Sequence, residues 1–283
     1  MGGLSFGLHI ALVISFVSVF AWSCDGGGIG SASGARTAPS TRPAGYGVVD
    51  VVNGGALSGA VLWAGPLPDL FQVPVEHHPQ ACGASRAVSA LTVSSRGGVA
   101  GSVVYLDGVT EGHSLPSGPF EVATEGCEFV PRVLAVPAGA TLTFVNRDGV
   151  LHNVHATLRG ATWADLGLPS EGSRGTATAP TGGVSSLVDD AGHPWMGGYV
   201  YSFSHPYFAV TDAEGRFRIP RVLPGQYTVR VWHEGVRATP GGPGGRPQLS
   251  QPLILARPVV ITAGSETTVD FQLDLVAVEA AGN

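Results

Sequence analysis

Cys24, Cys82 and Cys127 are the only thiols in the chain, and none has a second cysteine at the short spacing of a zinc or dithiol site. With Cys24 set aside at the N-terminal edge, Cys82 and Cys127 form one pair, which an oxidising compartment would join as a disulfide. Both lie beside turn residues, in Ala81-Cys82-Gly83 and Gly126-Cys127-Glu128. Gly3-Leu4-Ser5-Phe6-Gly7 has the G-x-S-x-G spacing of a nucleophile turn, but its place in the leader makes the match a coincidence. No Ser/His/Asp set or paired carboxylate stands out elsewhere, so no enzymatic activity is expected. Among the histidines, His77-His78-Pro79 reads as a solvated polar loop. His155, three residues along a strand from His152, should face away from it. His205 and His233 fall at a strand entry and a strand end, where they could pack at an interdomain seam, with a second metal there as the alternative.

These residues need a scaffold, and composition limits what it can be. The chain has 283 residues, 44% hydrophobic and 13% charged, with 42 glycines and 21 prolines. Long helical patterns are missing, so many short strands joined by tight turns are expected, an all-β protein with two small cores. The net charge is −6 and every basic residue is an arginine, with no basic run, which argues against nucleic acid as a partner. Residues 10–21 are apolar but too few to span a bilayer, and Ala21-Trp22-Ser23 precedes Cys24. Residues 1–23 thus read as a signal peptide, and the protein as extracytoplasmic, periplasmic or at the cell surface. The Cys24 context resembles a bacterial lipobox, which implies lipidation of Cys24 and a membrane anchor; ordinary cleavage nearby is the alternative. Residues 24–45, rich in Gly, Ser, Pro and Thr, form a flexible tether.

Strand-like runs open with Ala56 to Trp63 and Gly101 to Leu106 and resume at Tyr207. There Thr211-Asp212-Ala213-Glu214-Gly215-Arg216-Phe217 is followed by Leu223-Pro224-Gly225-Gln226-Tyr227 and alternating residues to Trp232. This pattern resembles the carboxypeptidase regulatory-like, or transthyretin-like, β-sandwich, in which Asp-Ala-Glu-Gly and Pro-Gly are hairpin turns. The early strands and the later motif are far apart, so something is inserted between them. Residues 46–116 and 205–278 are expected to form one discontinuous sandwich around an embedded domain of residues 117–204, an insertion that loop entropy tolerates. Two sandwiches in series, the first of residues 46–203, are the alternative.

Within the insert, Phe129-Val130-Pro131, the strand to Phe144, Asn146-Arg147-Asp148 and His152-Asn153 precede Asp189-Asp190-Ala191-Gly192-His193-Pro194-Trp195-Met196. Two separated segments in this order resemble plastocyanin and other cupredoxins, and similar fusions are sometimes labelled methylamine utilisation proteins. The resemblance implies a Greek-key sandwich with copper held by His152 and His193, Met196 as axial ligand, and Asn153 hydrogen-bonding to the ligand loop. The departure is Asp189, which stands where cupredoxins place cysteine, while Ser185 stands where a dinuclear centre has its other cysteine. Without thiolate, fast electron transfer is not expected. Two imidazoles and the Asp189 carboxylate suit a harder, tetragonal Cu(II) or Zn(II) site. The rival expectation is a metal-free cupredoxin scaffold that serves structure or binds an extracytoplasmic protein partner.

Overall fold

Alternation of apolar and polar residues makes the predicted runs strands, because successive side chains leave opposite faces and one face can be buried. A computed structural model describes Gly2, residues 45–88 and residues 90–275. Apart from Gly2, the expected signal peptide, Cys24, the expected tether up to residue 44 and residues 276–278 of the expected sandwich lie outside the described residues. Apart from the single helical turn Pro79–Cys82 and the 3-10 turn Pro243–Gly245, the described elements are strands, and the protein is all-β. The described residues from 45 to 275 are linked by contacts into one unit, to which all that follows belongs.

The central strands make two sheets. In one, the order is Arg174–Thr178, Thr141–Asn146, Phe120–Thr124 and Phe129–Val130; in the other it is Ala161–Leu168, His152–Leu158, Gly183–Asp189, Gly197–Phe203 and Val133–Pro137. Leu142, Phe144, Val154, Ala156, Leu187 and Val200 fill the space between them. The Phe71–Pro74 and Ser85–Val88 strands pair with each other, and Val73, Val75 and Val88 pack into this same central core. The disulfide between Cys82 and Cys127, with Cα atoms 5.5 Å apart, ties that hairpin's connection to the central strands.

The flanking strands build a second sandwich. One sheet runs Phe208–Val210, Val103–Asp107, Gly225–His233 and Leu253–Ile261; the other centres on Gly55–Trp63, with Arg216–Val222 on one side and Glu266–Thr268 and Phe271–Leu273 on the other. Val103–Asp107, which precedes the central strands in sequence, is hydrogen-bonded to Phe208–Val210 and Gly225–His233, which follow them. Leu57, Val104, Leu106, Ile219, Val231 and Phe271 form the core. The Asp212 turn is built as its sequence suggests: Asp212 Oδ1 accepts from the N–H of Glu214 at 3.0 Å and of Arg216 at 2.7 Å. Gly215 has φ 77°, and a Cβ there would lie 2.5 Å from the Val61 carbonyl, so only glycine fits. The strands on its two sides nonetheless enter different sheets, as do those flanking Pro224, so each turn is a corner between sheets rather than a hairpin within one.

The two sandwiches meet along an aromatic seam. Tyr201 stacks on Phe203 with centroids 4.4 Å apart, and Phe203 stacks on Phe208 at 4.6 Å. Beside it, Arg132 donates from Nε and Nη2 to the Glu234 carboxylate at 2.6 and 2.7 Å and from Nη1 to the Gly197 carbonyl at 2.9 Å. A bidentate pair with Glu234 buried holds the seam in one register, since sliding would strand a charge.

His205 lies in this seam between Phe203 and Tyr207. Burial pushes its imidazole down to about 4, against a smaller opposing pull from Asp107. The unfolded chain therefore binds a proton that the folded chain refuses between about pH 6.5 and 4. The His205 contribution is complete above pH 6.5 and is lost as pH falls, amounting to about 3 kcal/mol at the acid end. His205→Gln is expected to flatten the fall in urea-unfolding free energy across this range. An unchanged slope would assign the acid sensitivity to other groups.

Candidate metal centre

Register brings the central residues together. Val154 and Asp189 are directly opposed across antiparallel strands, so His152, two residues from Val154, lies on the same face as Asp189 and diagonal to it. Along His152–Leu158 the buried positions are His152, Val154 and Ala156; along Gly183–Asp189 they are Ser185, Leu187 and Asp189. His193 follows four residues after Asp189 on a loop whose Met196 N–H returns to the His193 carbonyl at 3.0 Å. His152 and His193 are fully buried and Asp189 is 1% exposed.

Asp189 Oδ2 lies 2.5 Å from His152 Nδ1 and 3.0 Å from His193 Nδ1. Its other oxygen accepts the N–H groups of Ala191 at 2.6 Å and Asn153 at 3.2 Å. Burial alone would raise its pKa, but the bonds from His152, His193 and Ala191 outweigh it and hold the carboxyl well below the usual carboxylate range. Ionised, Asp189 can only accept, so both Nδ1 atoms carry their protons toward it. The rings lie with centroids 4.8 Å apart.

The outer nitrogens are also engaged. His152 Nε2 stands 2.9 Å from Asp148 Oδ2, and His193 Nε2 stands 3.2 Å from His78 Nδ1. Asp148 is held by Gly126 and Cys127, whose N–H groups donate to its two oxygens at 2.7 and 2.9 Å. The preceding turn is set by Asn146, which donates to the Val150 and Leu168 carbonyls and accepts from Thr124 Oγ1 and the Asp148 N–H. Neither Asp148 nor His78 was among the expected site residues. Asp148 had a signal in the Asn-x-Asp spacing, whereas His78 had none, because its partner is 115 residues away.

The other expected residues are placed as follows. Asn153 reaches the ligand loop through its backbone: its N–H binds Asp189, and its carbonyl accepts from the Asp190 N–H at 3.1 Å, while its side-chain Oδ1 is buried without a partner. Met196 is 2% exposed and belongs to the central apolar core with Trp195 and Phe129. The Ser185 hydroxyl is buried and unpartnered. His155 turns away to Asp190 Oδ2 at 2.7 Å, and Arg246 pairs with the other oxygen of Asp190. Among the described residues, two groups of ligand-type side chains converge: His152, Asp189 and His193, and Cys127, Asp148 and His152. Cys127 is bonded to Cys82 and offers no thiolate, and neither His205 nor His233 belongs to a group.

The residues present fit a divalent ion of borderline hardness. Their three donor atoms lie within 4.8 Å of one another, two imidazole nitrogens and a carboxylate oxygen, with no sulfur anion. Donors bound to one ion at about 2.0–2.2 Å stand roughly 3 Å apart, so the 2.5 Å between His152 and Asp189 is a hydrogen-bond separation that an ion would widen as it replaced the protons.

Comparison with known proteins gives two kinds of match. The sequence model of the carboxypeptidase regulatory-like domain matches residues 186–274, a span that includes the Asp212 and Pro224 turns. No curated protein matches the chain. Among solved structures, a copper-containing nitrite reductase from Thermus scotoductus is 25% identical over 32% of this chain and 24% of its own, with TM-score 0.27. Amicyanin from Paracoccus versutus is 19% identical over 32% of this chain and 86% of its own, with TM-score 0.28. A purple cupredoxin from Nitrosopumilus maritimus is 22% identical over 30% and 99%, with TM-score 0.25. The chain thus spans about a quarter of the nitrite reductase and most of the two smaller proteins.

Proposed function

We propose that the protein binds a divalent transition-metal ion, copper foremost, through His152 Nδ1, His193 Nδ1 and the Asp189 carboxylate, without catalysing a reaction. The observation that carries this reading is the aim of both buried Nδ1 atoms at one carboxylate oxygen. Bound copper would supply a Lewis-acidic, slowly exchanging redox centre. The chain's part is to fix two rings and a carboxylate on one face of a buried sheet, keep water out with the surrounding core, and give up the Nδ1 protons on binding. The proposal includes export by residues 1–23, a lipid anchor at Cys24 and an extracytoplasmic protein partner that receives or delivers the ion. No helix among the described residues is long and apolar enough to cross a membrane. It also includes the division into an outer sandwich of residues 46–116 and 205–278, less the Phe71–Pro74 and Ser85–Val88 hairpin that packs on the central core, and an embedded cupredoxin-like domain of residues 117–204, which the pairing of Val103–Asp107 supports.

Copper added to the mature protein is expected to bind at one ion per chain, with a tetragonal Cu(II) resonance and no intense thiolate absorption. His152→Ala and His193→Ala should each abolish this uptake, and Asp189→Cys should add the thiolate band. A second reading, a metal-free scaffold, is favoured by the complete hydrogen bonding of both rings without any ion. Absence of uptake, together with a colourless Asp189→Cys protein, would select it.

A further inference from the structure

The cluster is closed on its His193 side by a residue from outside the strands that carry it. His78 lies on the connection between the Phe71–Pro74 and Ser85–Val88 strands, and its ring centroid is 5.4 Å from that of His193. Several features hold it there. Its backbone is left-handed, φ 57° and ψ 44°, a conformation that costs a residue with a Cβ about 1–2 kcal/mol and persists only where the surroundings impose it. The His78 carbonyl accepts the Cys82 N–H at 2.9 Å, and Cys82 is bonded to Cys127. The neighbouring His77 ring covers Gly192 so closely that a Cβ there would lie 2.8 Å from His77 Cδ2. Cys127 in turn holds Asp148, the partner of His152, so one disulfide anchors the outer contacts of both buried rings.

We infer that His78 is a positioning residue of the metal site, holding the His193 ring through Nε2 both before and after an ion is taken up. The inference rests on the metal-binding reading above. Without an ion, His193 Nδ1–H donates to Asp189, its Nε2 bears a lone pair, and His78 must donate from Nδ1. With an ion on Nδ1, the His193 Nε2 carries the proton and His78 must accept. A carbonyl or an ammonium serves only one of these states, whereas an imidazole serves both. The change balances: the Nδ1 proton of His193 leaves to water, the His78 Nδ1 proton passes to His193 Nε2, and exposed His78 takes one proton from water at its own Nε2. Neither ring changes net charge, and His193 Nε2 keeps its hydrogen bond in either state.

The test compares His78→Gly with His78→Asn. Glycine removes the ring while suiting the left-handed backbone, so strain relief is not confused with loss of the contact; asparagine tolerates that backbone and can donate or accept by turning its amide. His78→Gly is expected to weaken Cu(II) binding, measured against a chelator, by about 10–100-fold, to change the Cu(II) resonance, and to leave the metal-free fold intact. His78→Asn should restore binding to within a few fold. Equal affinity and identical resonance in His78→Gly would overturn the inference, as would failure of asparagine to restore it. If the unaltered protein takes up no copper, the metal reading fails separately, and ring 15N resonances of metal-free protein decide. There, His193 Nε2 should report a hydrogen-bonded lone pair that shifts in His78→Gly, and an unmoved signal would overturn the positioning role.

Discussion

An Asp189→Asn protein is expected to lose about 3–5 kcal/mol of folding stability and all measurable copper uptake. The carboxylate is 1% exposed and accepts from four donors, the two Nδ1 atoms and two backbone N–H groups. Asparagine keeps one acceptor oxygen and puts an amide N–H₂ where the other stood. Placed against the ring N–H groups, that amide faces donor with donor, with no water to relieve it. Urea unfolding of metal-free protein measures the loss, and copper titration measures the uptake. A change below about 1 kcal/mol would mean that the rings repair their bonds elsewhere. Marked destabilisation with copper binding retained would make Asp189 a structural acceptor and move the ligand set to other groups.

Removing the disulfide is expected to have a comparable cost by a different route. Cys82 and Cys127 are 45 residues apart in sequence, and releasing a loop of that length restores about 4 kcal/mol of unfolded-chain entropy. In a domain pair of this size, the melting midpoint of Cys82→Ser/Cys127→Ser should fall by roughly 10 °C. The same variant frees the connection that presents His78, so copper affinity should fall along with stability. A midpoint within a degree or two of the unaltered protein would show that the Phe71–Pro74 and Ser85–Val88 hairpin is held by its apolar contacts alone.

Much of this arrangement was legible in residue order. Alternation along His152–Leu158 and Gly183–Asp189 shows which residues point inward, and the resemblance to cupredoxins implied that His152 and Asp189 converge; the register that brings them together, Val154 opposite Asp189, came from the structure. The Asp212 turn was equally legible, because Asp, Gly and the spacing between them carry their own hydrogen bonds. What the turn could not reveal is that its two strands join different sheets: alternation says which face is buried, not which neighbour buries it. His78 was missed for a related reason. A polar loop before a cysteine looks solvated until the disulfide partner is placed, and only then does the connection fall across His193. Asn153 was recognised by type, but its backbone, not its amide, makes the bonds.

The position of Val103–Asp107 between strands that follow it by more than a hundred residues bears on how the chain matures. A growing or newly translocated polypeptide that has reached residue 200 holds this strand with both edges unsatisfied. Its partners can reach it at modest entropic cost only once the intervening strands have collapsed and shortened the effective loop. Folding of the middle therefore gates closure of the ends. A lesion in the buried histidine cluster would prolong the period in which an open, apolar strand such as Val103–Asp107 is available to other chains, so its first symptom in a producing cell would be aggregation and low yield.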